Sequence, residues 1–439
     1  MLGKFDPDDR QFQGRVQRRG KWRKQVILSV ETQVWSYSSK DWFMRDHGRQ
    51  DSSRTTSHSN SMASNADQFE ASKPTAGRHL EYLDGLRALA ALYVVVHHVV
   101  LQVNPKFSSE VIPGLATYGM KLFYFGNYAV DIFIVLSGFC LMRPVVQNGG
   151  KLRLGAIEFY KGRCRRIVLP YLFSVALSLV LISLLIHDKT ERVWDKSLQV
   201  TMKSFIAHLF LVQDLFFEDH TINYVLWSIA VEWRIYFLFP LLVLLWRKIG
   251  AVRTTILATL SSWLLFEFFR EYYESGLTAH YIGLFAFGML GAKIAIPTPD
   301  YAAITARIPW RLLTIFLLGG LGMAQEAEKL FDRKVPDYVC DYIVGLWAMV
   351  LLILASRREG NYLRRLLSLK PLVFLGSFAY SIYLIHAPII QILWQYPFAS
   401  SQDPPERMLA LLVLIGVPLI LAFSYLFFLA FERPFLRKI

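Results

Sequence analysis

The chain has little from which to build a soluble catalytic centre. Three cysteines in 439 residues cannot make a disulfide framework. No Cys/His run has the spacing of a metal site, so no metal is expected. Neither a phosphate-binding glycine loop nor a Gly-x-Ser-x-Gly elbow occurs, so P-loop and α/β-hydrolase chemistry lack their signatures. No Asn-x-Ser/Thr sequon is present, and N-glycosylation is not expected. Charged residues are scarce at 19%, whereas hydrophobic residues reach 54% and aromatics 15%. Long apolar runs recur from residue 86 to 431, separated by short polar loops. That pattern excludes a string of soluble domains and points to a polytopic helical membrane protein.

The expected fold is therefore all-α, a transmembrane helical bundle of about ten spans: 83–103, 124–143, 167–187, 225–246, 253–270, 278–296, 309–325, 338–356, 372–395 and 408–431. The stretch 201–217 is apolar but short and holds His208, Gln213 and Asp214, which suits an interfacial or re-entrant piece. The net charge of +14 concentrates in the loop 143–166, the loop 357–370 and the segment 433–438. Under a ten-span count these share one side. The opposite loops, 326–337 and 400–407, are of mixed sign. Positive-inside logic then puts both termini in the cytosol and explains the charge without nucleic acid. The bilayer is the expected partner of residues 80–435. Residues 1–79 are polar, Ser-rich and basic, and read as a disordered cytosolic tail. Asp6, Asp8 and Asp9 argue against a transit peptide.

Within the apolar runs, polar residues carry the information. Arg87 and His98 are eleven residues apart on one helix. At about 100° per residue they share a stripe, roughly 16 Å apart along the axis. His97 points about 100° away and cannot share the role of His98. Asp131, Glu232 and His386 each lie inside an apolar span and should face the bundle interior. Each could equally be structural, as an ion pair or an interhelical hydrogen bond. Arg163 and Arg166, at i and i+3, open the third span. Their planar forks suit bidentate phosphate recognition.

In chain order the segments are Tyr82-Leu83-Asp84-Gly85-Leu86-Arg87 with His98, then Val130-Asp131-Ile132-Phe133 through Ser137-Gly138-Phe139, then Arg163-x-x-Arg166 with Pro170. They continue with Trp227-Ser228-Ile229-Ala230-Val231-Glu232, Tyr380-Ser381-Ile382-Tyr383-Leu384-Ile385-His386 and Phe431-Glu432-Arg433-Pro434. Over residues 80–435 the chain resembles the acyltransferase 3 family of integral membrane O-acyltransferases, and in style its fungal stand-alone members. Many members follow the glutamate with Glu or Gln before Tyr; here Trp233-Arg234 intervenes. The sequence stops just after the last span, so a stand-alone enzyme is expected rather than the two-domain type that modifies bacterial walls.

The resemblance implies an acyl-CoA donor, often acetyl-CoA, and a hydroxyl acceptor on a sugar, lipid or small molecule. Arg163, Arg166 and Arg143 are then expected to hold the donor phosphates. Arg87 would guide the donor inward or contact a phosphate. His98 is the expected general base, because an imidazole titrating near about 6.5 has a neutral fraction at neutral pH. Asp131 or Glu232 would support its imidazolium, and the sequence does not choose between them. Tyr383 and His386 are the candidates for contacting the acceptor. Two other readings compete. Interior Asp, Glu and His also serve proton relays in transporters and flippases. A haem oxidoreductase would use His97 or His98 with His386, but evident pairs of ligating histidines on facing helices are lacking. No internal repeat of the transporter kind is visible.

Overall fold

A computed structural model describes residues 80–106, 111–112, 119–215, 220–270, 278–296, 305–331, 335–357, 361–397 and 404–436. The tail expected over 1–79 lies outside the described residues. Among the described residues all regular structure is helical. In chain order the bundle helices are α1 (Glu81–Val103), α2 (Gly126–Gln147), α3 (Gly155–Arg163), α4 (Leu169–Leu184) and the short α5 (Met202–Leu209). They continue with α6 (Trp227–Ile249), α7 (Ala251–Phe269), α8 (Tyr281–Ala295), α9 (Trp310–Phe331) and α10 (Asp337–Ser356). The last are α11 (Tyr362–Leu367), α12 (Lys370–Gly376), α13 (Ala379–Gln395), α14 (Pro405–Leu411), α15 (Val417–Phe427) and α16 (Arg433–Leu436).

Each of the ten expected spans corresponds to helix, but they are not equal. Among the described residues six runs are long and apolar enough to cross a membrane: Glu81–Val103, Gly119–Gln147, Gly155–Leu184, Trp227–Ile249, Asp337–Ser356 and Pro405–Leu436. The helices α12 and α13 pass the same test only when taken together, and they meet at a bend of 72°, the geometry of a broken span or a re-entrant pair. The helix α8 has 15 residues. At a rise of 1.5 Å it falls short of a hydrocarbon core of about 30 Å. It is nonetheless buried, because it lies against α2 at unusually close range. A Cβ on Gly138 would run into the Phe285 carbonyl, and one on Gly288 into the Val135 carbonyl. Small residues at such crossings let backbones touch. Gly288→Ala should therefore cost about 1–3 kcal/mol by overpacking, since a backbone carbonyl cannot swing aside. The check is a lowered midpoint for thermal aggregation in detergent, with Leu290→Ala on the same helix as control.

The basic segments gather at one end. Arg364 lies over the Tyr82 ring at 5.4 Å, and the Tyr82 hydroxyl meets Ser356 Oγ at 2.9 Å. Arg166 has Arg163, Arg87 and Glu432 as electrostatic neighbours. Two π-turns face each other there, Cys164–Val168 ahead of α4 and Phe428–Glu432 after α15. The Tyr380 hydroxyl donates to the Ile167 carbonyl at 2.9 Å and clamps the first of them.

The expected interfacial stretch is the helix α5 together with the turn that carries Gln213 and Asp214. Thr201 and Ser204 form a reciprocal capping box that starts α5. Arg234 of α6 then forks onto Asp214 at 2.7 and 2.6 Å. So the departure from the family pattern at Trp233-Arg234 has a structural consequence: Arg234 anchors this segment to the bundle. Burial holds His208 down at about 4 and His220 at about 3, Lys196 adding to the latter. In the released segment both would titrate near about 6.5. Below that pH the released form binds more protons than the docked form. Docking is then at full strength above pH ~6.5 and weakens as pH falls toward 4. Amide exchange across 202–215 and 220–226, corrected for its intrinsic pH dependence, should be faster at pH 5 than at pH 7. His208→Gln should flatten that difference.

Candidate active site

No proline interrupts α1, and its one glycine, Gly85, falls in the first turns, so the helix runs unbroken for 23 residues. It carries Arg87 near the basic end and His98 eleven residues further on. Both side chains are buried, and they have different partners. The Arg87 guanidinium pairs with Asp84 one turn back and donates to Cys140 Sγ of α2 at 3.1 Å. The adjacent His97 hydrogen-bonds the Phe123 carbonyl, and Gly126 opens α2 flush against its ring. That is a packing role distinct from that of His98.

The neighbour of His98 comes from α13. His386 Nε2 lies 2.9 Å from His98 Nδ1, with ring centroids 4.9 Å apart. On its far side His386 Nδ1 lies 2.7 Å from the Tyr383 carbonyl. The other ring nitrogen of His98, Nε2, is buried and has no hydrogen-bond partner among the described residues. Tyr224 stands edge-on to the His98 ring at 5.3 Å. A proline accounts for its placement. Pro388 lacks the N–H that would bond Leu384 four residues earlier. The Leu384 carbonyl instead accepts from Asn223 Nδ2 at 3.2 Å, and the next residue, Tyr224, lands on His98. The chain enters this contact through Ile222, buried at φ 62°. A β-branched residue in the left-handed region is strained. The Ser197 carbonyl holds it there, accepting from the Ile222 N–H at 2.9 Å.

The two carboxylates expected beside His98 lie elsewhere among the described contacts. Asp131 faces Asp341 of α10, because its side of α2 packs on α8 and α10. His280 Nε2 reaches Asp341 at 3.0 Å, ahead of α8. Both Asp131 oxygens are buried, and the polar group they face among the described residues is Asp341. Glu232 accepts from the Tyr236 hydroxyl, which also meets Ser137 of α2 at 2.8 Å. The Tyr383 hydroxyl donates to the Val225 carbonyl and meets Ser228 at 3.1 Å, tying α13 to the start of α6. Arg166 is buried, while Arg163 and Arg143 are half-buried. Arg163 lies over the Phe159 ring at 5.7 Å. Glu432, which sequence reasoning left without a role, is buried, accepts from Ser381 and is an electrostatic neighbour of Arg166.

The structure thus brings His98 and His386 together, gathers Arg87, Arg163 and Arg166 at one end, and gives Asp131 and Glu232 separate surroundings. Family comparison covers the same stretch of chain: the model described as an acyltransferase domain, acyltransferase 3, matches residues 80–429. The chain belongs to the acyltransferase 3 family. It is a multi-pass membrane member, and the match opens where α1 begins. Among curated relatives, O-acetyltransferase OatA of Staphylococcus aureus is 23% identical over 357 residues, covering 74% of this chain and 53% of that protein. Peptidoglycan O-acetyltransferase OatA of Listeria monocytogenes is 25% identical, covering 72% of this chain and 50% of that protein. The putative peptidoglycan O-acetyltransferase YrhL of Bacillus subtilis is 25% identical, covering 71% and 49%. The chain spans about half the length of the curated relatives it matches. No solved structure matches it. Among the described residues no three His, Cys, Asp or Glu side chains converge to hold a metal ion.

Proposed function

We propose that this acyltransferase 3 protein moves an acyl group, in the first instance acetyl, from acyl-CoA to a hydroxyl of a sugar, lipid or small-molecule acceptor. The observation that carries the reading is the buried, unpartnered Nε2 of His98, on the same helix as the arginine end of the bundle. That nitrogen is the general base. It takes the acceptor hydroxyl proton as the oxygen attacks the thioester carbonyl carbon. The C–S bond then breaks, and the proton returns from Nε2 to the departing sulfur. The thioester is already activated, so the scheme has no covalent enzyme intermediate. Arg163, Arg166 and Arg143 take the nucleotide phosphates, with the arginine end facing the cytosol and both termini on that side. Charge-assisted, bidentate hydrogen bonds are the strong ones here. The flexible pantetheine arm spans the roughly 16 Å from the Arg87 level to His98. The relatives named for peptidoglycan acetylation favour a carbohydrate hydroxyl as acceptor.

The test feeds isotopically labelled acetyl-CoA and a cell extract to membranes with and without the protein. Mass spectrometry then looks for labelled, alkali-labile esters. Ester formed only with the protein supports the reading. Ester formed from another activated acetyl donor, but not from acyl-CoA of any chain length, overturns the donor. A second reading draws on the buried cluster of Asp131, Asp341 and His280. A transporter with an intramembrane proton relay would use such a cluster and would leave its substrate unacylated.

A further inference from the structure

We infer that His386 is a positioning residue that sets the tautomer of His98, so that two histidines do the work usually given to a histidine and a carboxylate. This rests on the reading of His98 as the base. Donors and acceptors decide the matter. A backbone carbonyl only accepts, so the His386 nitrogen 2.7 Å from the Tyr383 carbonyl carries a proton. In a neutral imidazole the other nitrogen is then a lone pair, which places the lone pair of His386 on Nε2. That lone pair faces His98 Nδ1 at 2.9 Å, so His98 Nδ1 carries the proton and donates it. The opposite arrangement would set the lone pair of His386 Nδ1 against a carbonyl oxygen. By elimination the lone pair of His98 is on Nε2, the buried nitrogen with no partner. The Tyr383 carbonyl, acting through two rings, and the Val94 carbonyl one turn back on α1 both favour a proton on His98 Nδ1, which leaves Nε2 as the base.

The chain also disposes of charge. When His98 Nε2 takes a proton, the new imidazolium donates through Nδ1 to a neutral imidazole, and the positive charge is shared over two rings. Among the described residues the electrostatic neighbours of His98 are His386 and His97, and no carboxylate is one of them. Before protonation the dyad is uncharged, so it does not bring the desolvation cost of an ionised carboxylate in an apolar core. A base held by a third group is the general logic of an activated site.

Two variants separate this role from packing. A glutamine at 386 puts an amide oxygen where Nε2 stood and can still accept from His98 Nδ1. An asparagine reaches only the Nδ1 position, keeping the Tyr383 contact and losing the one to His98. His386→Gln should keep kcat within about tenfold of wild type. His386→Asn should lower kcat about a hundredfold or more, with KM for donor and acceptor unchanged. Nitrogen NMR of histidine-labelled protein gives a readout independent of turnover. Wild type and His386→Gln should show His98 protonated on Nδ1 alone, and His386→Asn should show a tautomer mixture. A His98 that is already a mixture in the wild-type protein, or equal activity of the Asn and Gln variants, overturns the inference. If either variant misfolds, the wild-type spectrum alone decides it. An active His98→Ala protein defeats instead the underlying reading of the base.

Discussion

His98→Ala will abolish acyl transfer while the protein still inserts and folds. The side chain is fully enclosed, and its polar contacts are His386 and the Val94 carbonyl one turn back on α1. Folding therefore loses these contacts and some packing, and His386 Nε2 is left without its partner. Leaving one buried acceptor unpaired costs about 1–3 kcal/mol. The chemical step loses its base, and general-base catalysis contributes about 10²–10⁴-fold in rate. The effect on turnover should thus dwarf the effect on yield. The measurement is ester formation per mole of purified protein, with size-exclusion profiles compared beside it. Turnover within tenfold of wild type at matched amounts would remove His98 from the mechanism. An adjacent control sharpens the result. His97→Asn puts an amide N–H where Nδ1 stood, can still donate to the Phe123 carbonyl that His97 holds, and should retain most of the activity.

The second large effect is of the opposite kind. Arg87→Ala should cost folding first. Arg87 and Asp84 are both buried, and truncating the arginine removes the cation paired with a buried carboxylate. Breaking one side of a buried pair costs about 3–5 kcal/mol, whereas replacing both partners with neutral groups is close to neutral. Yield and thermal stability of Arg87→Ala should therefore fall sharply, and Asp84→Asn/Arg87→Met should recover them. The recovered double variant then reads the arginine's second role. Its KM for acyl-CoA should rise if Arg87 guides the donor inward. Equal instability of the single and double variants would mean that the ion pair is not what Arg87 contributes to the fold.

These two residues mark how far a sequence reaches toward a site. Their common helix, their shared stripe and their separation come from a spacing of eleven residues and the pitch of an α-helix. Their divergent fates do not. Asp84 is visible as a partner for Arg87 at i and i+3. Nothing near His98 announces His386, which is 288 positions away. Sequence reading places His386 among candidate acceptor contacts and seeks a carboxylate to support His98. The structure gives Asp131 to Asp341 and Glu232 to Tyr236, because the faces of α2 and α6 that carry them turn toward other helices. One faint signal did exist. Pro388 frees the Leu384 carbonyl, and a freed carbonyl inside a span needs a donor. The donor's identity, Asn223, came only with the fold.

The chain by itself determined the class of protein and the ends of the bundle. Apolar run length, the scarcity of charge and the clustering of arginine are local properties, and the bilayer reads them locally through transfer free energy. Motif order likewise determined the family, since it is a property of the chain and needs no folding. Tertiary structure decided the pairings: which nitrogen of His98 is left open, where each buried carboxylate goes, and that Arg234 anchors the segment carrying Asp214. Helical periodicity specifies a direction around one axis but says nothing of which helix stands in that direction. Only the packing of all the helices, with glycines at the closest crossings and hydrogen bonds for buried polar groups, supplies that answer.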